Sequence, residues 1–533
     1  MAGLSLSSAT PARAQGQPAA VPGRAAAPAA PAAAVAPASP APPAPAPEAP
    51  APPVNPALAA LAASSDTNPM PVPTDLTQAH AGGITADQVA VRAAATSWSA
   101  KANEEALRGA AARVDEAWAA FLPRLSGLAR YTRLSHISPP SLGNLWAPPP
   151  SQAPFSAATG FTAPSTTGPV NEFTAVPLVI QPILDNWLLQ ATINVPISDY
   201  FLRLDQSYSS ATHSRDAANW DIAGARATAA SNGRVAYYSW LRARGGVIVA
   251  VQALNDQRTH LRDGRNQFAV GNASKADVLR AETAVSSAEL ALVQAQNLAS
   301  LTEKQLRVAL HIGDDVPMLP GEDLDAALPA EEGNLQELLR TAIGARAEVK
   351  SADANARSAR QQAAAAGSTR WPSLSAFGDA IAESPNPRLF VPVQKLFPSW
   401  DVGAQLTWAP NDVLTANGQV AEAESRAAAT EANRNVVIDG VEVEVTQYWQ
   451  NVRQADFAIE AGGHELASAQ EAYRVARELF NNGRGTSTTL TDAETDLTRA
   501  RLDLLNAKAD ARIARVQLEH AIGRDLKAPD ASR

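Results

Sequence analysis

Phe268-Ala269-Val270-Gly271 and Phe480-Asn481-Asn482-Gly483 are one turn written twice, at an offset of 212 that separates both the Phe pair and the Gly pair. After each Gly a seven-residue pattern begins. The first copy carries Val278, Val285, Leu292 and Leu306, with Ala281, Ala288, Ala295 and Ala309 three places after each. The second carries Leu490, Leu497, Leu504 and Leu518, then Ala493, Ala500, Ala507 and Ala521. Even the exceptions agree, since Ala299 and Ala511 replace the large residue at the same heptad. A 3-4 spacing held this long is a helix with one narrow apolar seam, the pattern of coiled coils. Ala along half the seam lets a neighbouring helix come close.

The pattern also runs backwards from the turn, where Leu254, Leu261 and Phe268 match Leu466, Tyr473 and Phe480. A helix therefore arrives, turns at a Gly suited to left-handed backbone, and a second helix leaves with its seam on the same side. Ser274, Thr486 and Ser487 stand where a helix-capping hydroxyl belongs. The chain contains two long antiparallel helical hairpins related by duplication.

Composition narrows the function classes. The chain has 533 residues, formal net charge −9 and pI about 5.4, so no basic excess draws nucleic acid. It has no Cys, which removes disulfides, thiolate metal sites and Cys nucleophiles. No run of 18 or more apolar residues suits a membrane-spanning helix. The seven His are scattered, and Gly483-Arg484-Gly485-Thr486 lacks the Lys and Gly spacing of a phosphate loop. No catalytic constellation, cofactor motif or metal-ligand spacing emerges, so the chain reads as no enzyme.

Prolines map the rest. They are absent from 74–122, 197–316, 330–371 and 411–528; such tracts, rich in Ala, Glu, Arg and Gln, are helical by propensity. Their lengths run short, long, short, long, which is the duplication again. Residues 1–14 contain Ala12-Arg13-Ala14, a signal-peptidase-like site that makes Gln15 the new start. Two readings stay open there: a signal shortened by a start codon placed too far downstream, or an ordinary flexible N-terminus. Residues 15–75 are Pro/Ala-rich and read as a disordered tether. The expected layout is a first repeat at 76–316, a linker at 317–329, a second repeat at 330–527 and a tail at 528–533.

Between each short and long tract lies a segment of period two. Trp187, Leu189, Ala191, Ile193 and Val195 share one face against Gln190, Thr192 and Asn194. Trp400, Val402, Ala404, Leu406 and Trp408 stand against Asp401, Gly403, Gln405 and Thr407. Nine alternating residues with terminal Trp match a membrane-barrel strand, apolar outward and polar inward; the alternative is one half-buried sheet in a soluble domain, and two copies with terminal Trp favour the membrane reading. Pro123-Arg124-Leu125 and Pro372-Ser373-Leu374 open the partner strands, and about 136–186 and 379–399 read as exposed loops. Each repeat is then helix, strand, loop, strand, helix, turn, helix. Four strands cannot close a barrel, and an open edge in lipid leaves backbone groups unsatisfied. Strand count alone calls for several chains.

This arrangement resembles the TolC-type outer-membrane efflux proteins over about residues 83–526. The resemblance rests on Arg346-Ala347-Glu348-Val349, the strand starts at Pro123 and Pro372, the strand ends Val195-Pro196-Ile197 and Ala409-Pro410-Asn411, and the two Phe-x-x-Gly turns with their heptads and closing Ile-Gly. It implies a mainly α fold with membrane β. In it, a homotrimer joins a twelve-strand β-barrel in outer-membrane lipid to a twelve-helix α-barrel crossing the periplasm of a Gram-negative bacterium. It implies an exit duct of a tripartite efflux or type I secretion system for drugs, ions or polypeptides. The turns at Phe268, Gly271, Phe480 and Gly483 would form the periplasmic tip, docking an adaptor (membrane fusion protein) joined to an inner-membrane pump. Asp492 and Asp277 match family acids at the entrance constriction. Thr489 takes the other ring position without a charge, and Arg484 is one residue from a linking Arg position. For both Asp residues the simpler reading is a stabilising charge in a helix's first turns. Trp187, Trp400 and Trp408 would lie at the membrane interface. The competing reading is a periplasmic coiled-coil adaptor or scaffold without a pore; two hairpins, each preceded by alternating strands, favour the duct.

Overall fold

The computed structural model describes residue 71 and residues 78–137, 143–147, 155–156, 160–161, 174–177, 183–328, 333–390 and 392–525. The signal reading at 1–14, the tether at 15–75 apart from Pro71, and the tail at 528–533 fall outside them. The chain divides into Met1–Pro56 and Ala57–Arg533, and all that follows concerns the second unit.

Two long hairpins dominate. Helix α3 runs Asp205–Ala269 and α4 runs Lys275–Leu310; α7 runs Asp412–Asn481 and α8 runs Ser487–Ala521. At 1.5 Å per residue the 65 residues of α3 extend roughly 98 Å. Their seams are the heptad residues: Leu254, Leu261, Val278, Val285 and Leu292 form one buried cluster, and Leu497 with Ala469 and Ala500 another. Gly271 and Gly483 take the left-handed backbone that the turn requires, at φ +79° and +68°.

Helix α3 starts later than Pro196 would allow. A short turn at Ile197–Asp199 and a wide π-type turn at Tyr200–Leu204 precede it. The Tyr200 hydroxyl donates to the Phe121 carbonyl at 2.8 Å, tying this bend to the end of the first short tract.

Each short tract is two helices, where the proline map suggests one. Ser97 separates α1 (Ala86–Thr96) from α2 (Trp98–Ala119), and Arg346 separates α5 (Leu335–Ala345) from α6 (Ala347–Gly367). Each break residue ends one helix and precedes the next; the Ser97 hydroxyl accepts from the Ala100 amide, while the Arg346 side chain makes no capping bond. Arg346 is buried at its break, bonded to Glu348 at 3.1 Å and paired with Glu444 of α7. These tracts pack where the hairpins meet them. Val89 and Ala93 join Tyr237, Trp240, Leu306, Leu310 and Val516 in one core. Leu338, Ala342 and Val349 join Val441, Val445, Leu518 and Ile522 in its duplicate.

Residues 318–324, expected as linker, belong to the first of those cores: Met318 and Leu324 are buried in it. Ile84 pairs with Pro320 in a parallel bridge, with Ile84 N–H donating to Leu319 O and Gly321 N–H to Ile84 O.

The four long strands are β1 (Arg124–Arg133), β2 (Asp185–Val195), β3 (Ser373–Ser384) and β4 (Phe397–Thr407), all antiparallel in the order β1-β2-β3-β4. They extend past the alternating segments at several ends. Glu383↔Phe397 and Arg133↔Asp185 are still paired, because a ladder continues wherever a partner strand supplies backbone groups. The second loop therefore shrinks to 385–396. Within the first, Asn144–Ala147 pairs with Thr174–Pro177 and Phe155–Ser156 with Gly160–Phe161, two small ladders where irregular loop was expected.

Candidate functional site

Register sorts the sheet into two faces. Ile193, Gly378 and Val402 stand in line, as do Leu189, Ala382 and Pro398, on a face whose large residues Leu125, Leu189, Ile193, Val402 and Leu406 are exposed. The opposite face carries rows such as Ser126-Thr192-Asp379-Asp401 and Arg130-Leu188-Glu383-Phe397. Asp379 there accepts from Gln190 at 2.8 Å and from Thr192. Arg388, from the β3–β4 loop, bonds Asp401 at 2.9 Å. An exposed apolar face behind a hydrogen-bonded polar face suits lipid on one side and water on the other.

Aromatic residues mark both ends of the apolar face. Trp187 and Trp400 are exposed near the loop end, with the Tyr131 ring 4.6 Å from that of Trp187. Trp408 is exposed at the helical end, and Trp371, which the alternation did not single out, is exposed there too. From Trp400 to Trp408 the strand covers roughly 26 Å. A tilt of about 40° leaves about 20 Å across the membrane, against an apolar band about 25 Å tall in such barrels.

The turn end is less symmetric than its sequence. Phe268 is 45% exposed and Val270 70%, whereas Phe480 is 5% exposed and lies edge-on to the His260 ring at 5.3 Å. Of the two turn Phe residues only Phe268 offers surface; Phe480 is an internal packing residue. Ser274 and Asp277 form a reciprocal capping box at the start of α4, with Asp277 Oδ2 accepting from the Ser274 amide at 3.0 Å. Those Ser274 hydrogen bonds hold the Asp277 carboxyl below the usual range. Thr486 caps α8, accepting from the Thr489 amide at 3.2 Å while the two hydroxyls meet at 2.8 Å. Asp277 and Thr489 are thus engaged in helix ends. Asp492 and Arg484 are exposed and make no ion pair among the described residues. Nothing brings these four into one cluster within the chain.

Sequence reasoning missed what joins the hairpins to each other. Beyond the apolar core that Val516 of α8 shares with Tyr237 and Trp240 of α3, polar pairs join these two helices: Arg242–Asp510 at 2.9 Å, Asp256–Arg501 at 2.9 Å and His260–Glu494 at 3.0 Å. Gln267 then donates to the Asn481 carbonyl at 2.9 Å across the turns. Gly245 allows a close approach there, since a Cβ would sit 2.6 Å from a Leu505 methyl. No local pattern reveals partners so far apart in the chain. Among the described residues no group of His, Cys, Asp or Glu is placed to hold a metal ion, and no helix is long and apolar enough to cross a membrane.

The family described as outer membrane efflux protein matches residues 179–310 and 338–524. No curated protein matches the chain. Solved structures do. The outer membrane protein VceC from Vibrio cholerae is 18% identical with TM-score 0.63, matching 82% of this chain and 96% of its own. The MtrE outer membrane channel of Neisseria gonorrhoeae, in its open state, is 18% identical with TM-score 0.62, over 83% and 89%. CusC, whose structures concern folding and transmembrane channel formation, is 16% identical with TM-score 0.66, over 85% and 97%. These likenesses concern the fold; the family match covers both hairpins and the strand before each, and so this chain belongs to the outer membrane efflux protein family, as an efflux duct of the outer membrane.

Proposed function

We propose that three copies of the chain close one pore. The observation that carries this is the pair of free edges, β1 and β4, on a four-stranded sheet whose outer face is apolar and exposed. In lipid those edge groups need partners, and β4 of one copy against β1 of the next supplies them. Three copies, the number the family resemblance implies, make twelve strands and, from α3, α4, α7 and α8, a twelve-helix tunnel. Charge supports the seam, because β1 brings Arg124 and Arg130 to the polar face while β4 brings Asp401. Exposed apolar residues along the hairpins (Leu290, Leu298 and Leu301 on α4; Val436, Val443 and Phe457 on α7) give neighbouring copies something to bury.

In this reading the polar sheet face lines the exit, and Asp379 and Asp401 favour cations there. The turns form the periplasmic tip, where Phe268 and Val270 are the surface for an adaptor that links the duct to an inner-membrane pump. Asp492 faces the entrance. The duct is passive, with no enzymatic step of its own, and serves drugs, ions or polypeptides that the pump selects. Purified protein recorded in a planar lipid bilayer tests this. Uniform, stable conductance steps from a species of three chains are expected; a folded, elongated particle that never inserts overturns the pore.

A further inference from the structure

The loop between β3 and β4 is apolar where a water-facing loop is ordinarily polar. Leu389, Phe390, Val393 and Leu396 are all exposed, Phe390 by 93%. Its two legs show which way it leans. On the rising leg Asn386 is buried, and its Oδ1 accepts from the Arg388 amide at 2.9 Å. Arg388 then turns back onto β4, with Nη1 donating to the Trp400 carbonyl at 3.2 Å and Nη2 to Asp401 at 2.9 Å. Asp401 belongs to the polar face and stands four residues into β4 from Phe397, roughly 13 Å below the strand's end at about 3.3 Å per residue. An Arg on a loop standing upright does not span that distance, so this leg folds over the polar face. On the descending leg the Lys395 ammonium lies 5.6 Å from the centre of the Phe397 ring, and Phe397 is a polar-face residue too. Both legs are tied to the side that lines the exit in the duct reading.

A loop leaning inward carries its tip toward the axis of the assembly. Twelve strands about 4.8 Å apart, tilted by about 40°, enclose a barrel of radius roughly 12 Å. Phe390 stands six residues beyond Ser384, the end of β3, and six extended residues reach up to roughly 20 Å. The tip is long enough to meet its counterparts.

We infer that Phe390 determines what passes the outer mouth: its rings from three copies meet on the axis as an apolar constriction, which yields to cargo driven from inside and resists ions and polar solutes from outside. This rests on the duct reading, and the occupant assigned to the exposed tip is the same tip of the neighbouring copies. Apolar surface that one chain leaves in water is buried among three. A pore narrowed by apolar rings is poorly hydrated there, and ions cross it slowly. The acids lie deeper in the barrel, Asp379 held by Gln190 and Thr192 and Asp401 by Arg388. The exit is therefore an acidic, polar barrel beneath an apolar rim, and Arg388 is the positioning residue that joins the two.

The chain has no Cys of its own, so a single introduced Cys reports only contacts between copies. Full-length Phe390→Cys protein, oxidised mildly in outer membranes and run on non-reducing gels, should give disulfide-linked pairs of chains, since a disulfide needs Cα atoms within about 7 Å of each other. Trp187→Cys, on the apolar face, should give none. In planar bilayers Phe390→Ser should conduct several-fold better than native protein, and Phe390→Leu close to native. An assembled, conducting Phe390→Cys protein that forms no disulfide, or Phe390→Ser with native conductance, overturns the constriction and leaves the duct standing. A bimane label on Phe390→Cys that is quenched by brominated lipid and not by aqueous iodide places the tip in the membrane and overturns the constriction likewise. A protein that neither assembles nor conducts overturns the duct, and the constriction with it.

Discussion

Replacing Val402 with Arg asks directly which face of the sheet meets lipid. Val402 is the sixth of the eleven residues of β4, is 75% exposed, and sits opposite Gly378 on the apolar face. Arg at the middle of a barrel's lipid face costs about 2–4 kcal/mol. One site per chain in the proposed assembly of three makes that about 6–12 kcal/mol, comparable with the whole stability of an ordinary domain, about 5–15 kcal/mol. At about 1.4 kcal/mol per factor of ten, even the lower figure shifts assembly roughly ten-thousandfold. The matched control is Gln405→Arg, three residues along the same strand but on the polar face, paired with Ser375. The assay is the amount of heat-resistant assembled protein in fractionated outer membranes, read on unheated gels. Val402→Arg should be nearly absent and Gln405→Arg close to native. Native amounts of Val402→Arg, or equal loss in both variants, would refute the assignment of faces.

Further expectations concern the turns, the exit and a helix cap. Two residues inserted after Gly271 or Gly483 should abolish drug efflux in cells while the assembled species persists; normal resistance would count against docking at the turns. Asp379→Asn combined with Asp401→Asn should move the bilayer reversal potential in a salt gradient away from cation preference, and an unmoved potential places both side chains off the ion path. Ser274→Ala should cost about 0.5–2 kcal/mol in denaturant unfolding through loss of the cap on α4. The depressed Asp277 carboxyl adds stability that is present above the ordinary aspartate value, about 3.9, and disappears as pH falls through its lower folded value. Asp277→Asn should therefore flatten the acid limb of the melting temperature, and an unchanged limb would show the capping carboxylate contributes nothing.

The hairpins were legible because a heptad is a local signal: Val285 and Leu292 are read within one helix, whatever they pack against. The terminal-Trp strands were legible for the same reason, since period two shows which residues share a face. Strand β1 was harder. It lies at the sheet edge, its residues are exposed throughout, and without burial on one face its alternation is weak. The turn misled in one respect. Phe268 and Phe480 occupy the same position in their repeats, yet Phe480 is buried with Ala476 and Leu490 and edge-on to His260 of the other hairpin, while Phe268 stays 45% exposed.

By itself the sequence determined the duplication, the two capped hairpins and the alternating strands with their aromatic ends. All of these follow from periodicity, turn chemistry and counting, which act over a few residues at a time. Tertiary structure alone decided that the short tracts break at Ser97 and Arg346, that residues 318–324 belong to a core, and that polar pairs such as Arg242–Asp510 and His260–Glu494 join α3 to α8. The physical reason is distance along the chain. An apolar seam announces itself by repetition, whereas a polar contact such as His260 with Glu494, 234 residues apart, has no local pattern and exists only once packing brings two helix faces together and removes the water between them.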